Sequence, residues 1–84
     1  MQNEFYFILN GIKFISLKKA ERFAVNSAWM HHKSYLITDN RGNKWRMVGY
    51  SKFRDAVISY SYKDEVVAVF CDMLTVKPTY YFST

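Results

Sequence analysis

The pair Asn10-Gly11 constrains this chain more than any other feature. A two-residue hairpin turn needs positive φ at both central positions, and Asn followed by Gly is the pair that adopts it at least cost. The flanking segments, 4–9 and 12–17, are rich in β-branched and aromatic residues, so the sequence predicts a β-hairpin at the start of the chain. In its second arm Ile12, Phe14 and Ser16 point one way while Lys13, Ile15 and Leu17 point the other. Neither face of that arm is purely polar.

The periodicity then changes. Ala20, Phe23, Ala24, Ser27 and Ala28 recur at helical spacing, predicting a helix over about 18–32 whose narrow stripe of small residues can lie close on a sheet. Ser16 suits the N-cap, whereas Lys18 and Lys19 in the first turn oppose the helix dipole. An unfavourable charge at a helix start can persist where it serves binding.

A second hairpin follows, with Tyr35–Thr38 as one arm, the turn formers of 39–43, and 44–50 as the return strand. Alternation there assigns Trp45 and Met47 to the core and Lys44 and Arg46 to solvent. Residues 51–62 fit two patterns. Phe53, Ala56, Val57 and Tyr60 suit a helical face, while Ile58, Tyr60 and Tyr62 alternate with Ser59 and Ser61 as in a strand; β-branched and aromatic content favours a strand over about 56–62. Residues 65–72 would return as a third hairpin, extended by 73–76, and 79–83 would form an edge strand where Pro78 does least harm. The expected fold is α+β: a mostly antiparallel sheet of five to seven strands built from sequential hairpins, with the helix on one face.

Eighty-four residues suffice for one domain, 1–84, and not for two. Aromatic residues make up 19% of the chain, and each ring can remove roughly 150–250 Å² from water, so a core needs neither disulfide nor metal. Cys71 is the single cysteine, which rules out an internal bridge. The first residues carry no basic n-region or apolar h-region. The longest nearly uncharged apolar run, Val66 to Cys71, is far short of the roughly 20 residues of a membrane helix. A soluble, cytoplasmic protein without a membrane partner is expected.

Chemistry-bearing constellations are sparse. His31 and His32 are adjacent, so on a helix their side chains diverge by about 100° and do not converge on one metal ion. Cys71 follows an apolar strand, where a small buried thiol is common, and no base is placed beside it by spacing. Asp39, Asp55, Asp64 and Asp72 each fall at a turn or strand end, where aspartate caps local backbone N–H groups. There is no glycine-rich phosphate loop. The sequence predicts no catalytic residue, no metal site and no cofactor, and hence a protein that binds rather than catalyses.

The basic residues say more. Twelve Lys and Arg oppose seven Asp and Glu, a net charge of +5, which favours encounter with polyanions. Lys18, Arg22, Asn26 and Trp29 fall at near-helical spacing on one face, with Lys19 beside them; Arg41, Lys44 and Arg46 gather at the second hairpin; Lys52 and Arg54 follow in the next loop. Placed together they would suit phosphates, with Trp29 or Tyr50 to stack bases, although Lys and Arg also lie outside simply for solvation. RNA, or an RNA-associated host protein, is the leading expected partner. The alternative is a protein-interaction module, or a homo-oligomer, using aromatics such as Tyr80, Tyr81 and Phe82 near the C-terminus. A small enzyme is the third class and would need Cys71 or a histidine to meet a carboxylate in a pocket. The Lys-Gly-Phe-Gly-Phe arrangement of RNA-recognition sheets is absent from 44–50.

In length, in Lys/Asn/Ile/Tyr/Phe-rich usage and in its lone basic domain, the chain resembles small accessory proteins of tailed bacteriophages. Among them it is similar in size and charge to the TifA type, which bind RNA and inhibit an RNA-cleaving toxin of a toxin–antitoxin defence system. That resemblance implies RNA or host-factor binding in the cytoplasm of a bacterial host, and it assigns no individual residue.

Overall fold

The computed structural model of the protein describes residues 4–72 and the backbone of 80–81. Its elements run β1 (Phe7–Leu9), β2 (Ile12–Phe14), α1 (Leu17–His31), β3 (Ser34–Asp39), β4 (Lys44–Ser51), β5 (Ala56–Ser61), β6 (Val66–Phe70) and β7 (Tyr80–Tyr81). All seven strands form one sheet in the order β2-β1-β3-β4-β5-β6-β7, every neighbour antiparallel. The α+β architecture expected from the sequence is the one observed, with α1 across one face of a hairpin-built sheet.

The first hairpin closes as its turn chemistry demands: Asn10 and Gly11 both take positive φ, 50° and 78°. Its second arm is shorter than the β pattern suggests. Ser16 leaves the strand to cap α1, its Oγ accepting a hydrogen bond from the Lys19 N–H at 3.2 Å. The helix ends at His32, which adopts the left-handed conformation and donates its backbone N–H to the Ala28 carbonyl at 2.8 Å. After α1 the chain returns to pair β3 with β1, so the first strand becomes an interior one.

Ala20, Ala24 and Ala28 are fully buried and let the helix approach the sheet, while Val25 fills the contact beside them. Phe7, Leu9, Tyr35, Ile37, Val48, Val57, Ala68 and Phe70 complete this core from the sheet side. Burying a side chain the size of Ile37 or Leu9 contributes about 1.5–3 kcal/mol. Phe23 is partly exposed against Phe14, and Glu21 takes a buried place that the apolar pattern gave no reason to assign. Residues 56–61 form a strand, resolving the two patterns in favour of β. The edge strand expected over 79–83 is present as Tyr80–Tyr81; the expected extension at 73–76 and Phe82 lie outside the described residues. No described helix is long and apolar enough to cross a membrane.

A candidate anion-binding groove at one end of the sheet

Two irregularities in the sheet build the site. Between β3 and β4 the register shifts: Thr38 faces Lys44 but Ile37 faces Arg46, so Trp45 is an extra residue in a β-bulge. Between β5 and β6 a second shift follows Ser59, and the chain then turns sharply through 62–64 with Asp64 at φ 64°. Ser61 fixes this turn, its Oγ accepting from the Lys63 and Glu65 N–H groups at 3.2 and 3.3 Å. Residues 43–46 and the facing Ser61, Tyr62, Lys63 and Glu65 line an open groove of about 700 Å³ between the two turns.

The β3–β4 turn is held by one carboxylate. Asp39 is buried and accepts hydrogen bonds from the Arg41 N–H at 2.8 Å, the Asn43 N–H at 2.9 Å, the Asn43 side-chain amide at 3.1 Å and the Trp45 indole N–H at 2.9 Å. These donors, the indole foremost, hold its carboxyl well below the usual carboxylate range despite burial. Asn40 clamps the turn to the chain before β1, donating to the Glu4 carbonyl and accepting from the Tyr6 N–H. Trp45 packs edge-on against Phe7 at 5.4 Å and Phe5 at 6.2 Å, and the Arg41 guanidinium lies 6.0 Å from the Phe5 ring.

The bulge overturns the expected orientation of Arg46. Regular alternation would send it to solvent opposite Trp45, but the extra residue breaks the phase: Arg46 turns to the helix face alongside Trp45, Val48 follows it into the core, and Met47, expected in the core, falls on the other face. Its side chain is 17% exposed, and its Nε lies 3.8 Å from Oε2 of buried Glu21 on α1. The Ser59 hydroxyl donates to that same carboxylate oxygen at 2.8 Å. One guanidinium N–H goes to the Trp45 carbonyl at 3.1 Å, while the buried Nε has no hydrogen-bond partner among the described residues. Arg46 is thus a largely buried, ion-paired cation that lines the groove.

The pair also fixes where the helix charges lie. Glu21 sits over Arg46 and Ser59, whereas Trp29, two turns later, meets Tyr50; α1 therefore runs in the direction of β4, with its N-terminus at the groove end. Lys18, about one turn before Glu21, therefore sits at the groove end of the helix. Lys18, Lys19 and Arg22 are exposed in the first turns of α1; Arg41 and Lys44 are exposed at the hairpin; Arg46 lies below them. Six of the eight basic residues singled out in the sequence therefore gather at one end of the sheet. Lys52 and Arg54 are exposed in the β4–β5 turn at the opposite end, since β4 separates the two turns along its whole length.

The aromatic expectations fare differently. Trp29 is half-buried, its ring 5.6 Å from that of Tyr50 and its indole N–H buried without a partner among the described residues. Three residues on from Asn26, it turns off the exposed face and toward the sheet. Tyr50 stacks on His32 at 3.9 Å and 7°, and its hydroxyl donates to Asp55 at 2.8 Å, a bond that raises its pKa. Both rings are engaged within the fold at the end away from the groove. Of the two rings that line the groove, Trp45 is held by Asp39 and Tyr62 is the exposed one, at 59%, with the Lys63 ammonium 5.6 Å from its centroid. Tyr62 and Lys63 escape a reading by strand alternation because they sit at a turn; the signal available was an aromatic next to a lysine between two strands. Glu21 offered none, since a helical glutamate ordinarily faces water.

Cys71, expected as a buried strand thiol, lies beyond β6 and is exposed, since β6 ends at Phe70. Among the described residues no three His, Cys, Asp or Glu side chains converge to hold a metal ion. Comparison with protein-family models, with curated proteins and with solved structures finds no match for this chain.

Proposed function

We propose that the protein is a non-enzymatic basic module that grips RNA by neutralising its phosphates at the groove end of the sheet. The observation that supports this most is a groove lined by Lys44, Arg46 and Lys63, with exposed Arg41 in the adjoining turn and exposed Lys18, Lys19 and Arg22 in the first turns of α1 at the same end of the sheet. The positive end of the α1 dipole points the same way and no acidic residue occupies the first turn to offset it. Cations on rigid strands and a helix start bind a phosphate backbone mainly by releasing its counterions, so affinity falls steeply with salt. The bacteriophage resemblance would put such binding to use against a host RNA-cleaving toxin.

The reading is tested by fluorescence anisotropy with labelled RNA across a salt series. Each groove-end cation changed to alanine (Lys18, Arg41 or Lys44) should flatten the log–log salt slope by about one phosphate contact. Lys52→Ala and Arg54→Ala, at the far end, should leave it unchanged. Equal effects from both ends would refute a localised site, and no binding at low salt would refute RNA binding itself.

A second reading has its own observation. Phe53 (97% exposed) and Met30 (72%) stand at the end of the sheet opposite the groove, where an apolar surface could seat a protein partner or a second copy. Tyr80 and Tyr81 form an edge strand whose outer side could also pair with another strand. Sedimentation velocity of the wild type and of Phe53→Ser separates the self-association form of this reading from a monomer.

A further inference from the structure

The phosphate-binding reading does not say whether bases matter, and the groove speaks to that. Resting on that reading, we infer that the groove seats one nucleotide of single-stranded RNA, its base stacked on Tyr62 and its phosphate held between Lys44 and Lys63.

Four observations converge. The Tyr62 ring is more than half exposed although it lines a concave surface, so a planar group can lie on it without displacing core contacts. Lys63 lies beside that ring and Lys44 lines the facing wall. Both residues are exposed, and the four-carbon stem of a lysine lets its ammonium swing onto a phosphate. Arg46 also lines the groove and adds positive charge there, partly offset by Glu21. Glu65 at the rim repels phosphate from that corner and offers a carboxylate to the amino group of a base, which orients the nucleotide. A duplex is excluded because the faces of its bases are already stacked. A single strand can turn one base outward onto the ring.

The test uses the full chain and a labelled oligocytidylate of about 12 nucleotides, within the usual site size of stacking folds. Loss of one base–aromatic stack should weaken binding of Tyr62→Ala by about tenfold, while Tyr62→Phe stays within about twofold and the salt slope of both matches the wild type. Tyr62→Leu keeps apolar volume without a π-face and should behave like Tyr62→Ala, and coincident thermal melts show that each variant is folded. Binding of a blunt-ended duplex without a loop should be indifferent to all three substitutions. Wild-type affinity in Tyr62→Ala or Tyr62→Leu, with Lys44→Ala still weakened, would overturn the nucleotide seat and leave phosphate binding standing. Equal weakening on single strand and duplex would overturn stacking as well. Failure of the wild type to bind either RNA at low salt would overturn both readings together.

Discussion

The most informative perturbation is at Glu21, because one buried carboxylate serves both the core and the groove. Glu21→Ala removes the acceptor of the 2.8 Å hydrogen bond from Ser59, and a bond to a charged acceptor is worth about 1.5–3 kcal/mol. It also removes the counter-charge of Arg46. Breaking a fully buried pair costs about 3–5 kcal/mol, but here Nε and Oε2 are 3.8 Å apart and Arg46 borders an open groove where water can reach its outer nitrogens. The ion-pair contribution therefore falls well below that range, at about 0.5–1 kcal/mol as for a solvated pair, and with the hydrogen bond at the lower end of its own range the total loss should be about 2–3 kcal/mol. For a domain of this size that lowers the thermal midpoint by roughly 10–20 °C. Urea unfolding followed by Trp29 and Trp45 fluorescence measures it, with the slope expected to stay constant. Glu21→Gln keeps an acceptor for Ser59 and should cost about 1 kcal/mol, because only the charge is lost. Replacing the whole network by apolar groups, Glu21→Leu with Arg46→Met and Ser59→Ala, should recover most of the stability while weakening RNA binding. A Glu21→Ala change below about 0.5 kcal/mol would refute this account of the network. So would a Glu21→Gln variant as unstable as Glu21→Ala, since the hydrogen bond would then carry nothing.

Two further outcomes follow from charges described above. Lys19→Glu places an acid in the first turn of α1, so it should stabilise the fold by about 0.3–1 kcal/mol at low salt while weakening RNA binding; a variant that gains on both measures would show that the helix start is not part of the site. The Asp39 carboxyl is held well below its unfolded value, so its contribution is fully present above about pH 4 and is lost as pH falls below it. Asp39→Asn should therefore be less stable than wild type at neutral pH and should lose less on acidification. Urea midpoints at pH 7 and pH 3 check the sign, and parallel losses in the two proteins would count against it.

Where sequence and structure agree, the controlling chemistry is local. Asn10-Gly11, the Ser16 cap and the alanine spacing of α1 each act within a few residues, and each is found as read. The edge strand at Tyr80–Tyr81 is likewise found where alternation and Pro78 put it. What alternation could not convey is a change of phase. A bulge at Trp45 depends on Asp39 and on ring contacts with Phe5 and Phe7, which are distant in sequence, and once it forms Arg46 faces inward. Burial of Glu21 depends in turn on that arginine and on Ser59, 38 residues away. The basic cluster was legible as residue types; its gathering at one end, without Lys52 and Arg54, required the direction of α1 relative to β4. Tyr62 was hidden because the turn that exposes it is shaped by Ser61 rather than by any pattern in its own neighbourhood.

The bulge has one more consequence. Trp45 is locked by a hydrogen bond to buried Asp39 and by two edge-on rings, and it lies between Lys44 and Arg46 in the chain. The backbone carrying both cations is thereby tethered from several sides, so the phosphate binding proposed for that wall would have little main-chain entropy left to lose. Only the outer methylenes of the side chains remain to be ordered. In the binding proposed here preorganisation of this wall would count as much as its charge, and a Trp45 substitution that left every cation in place would still weaken it.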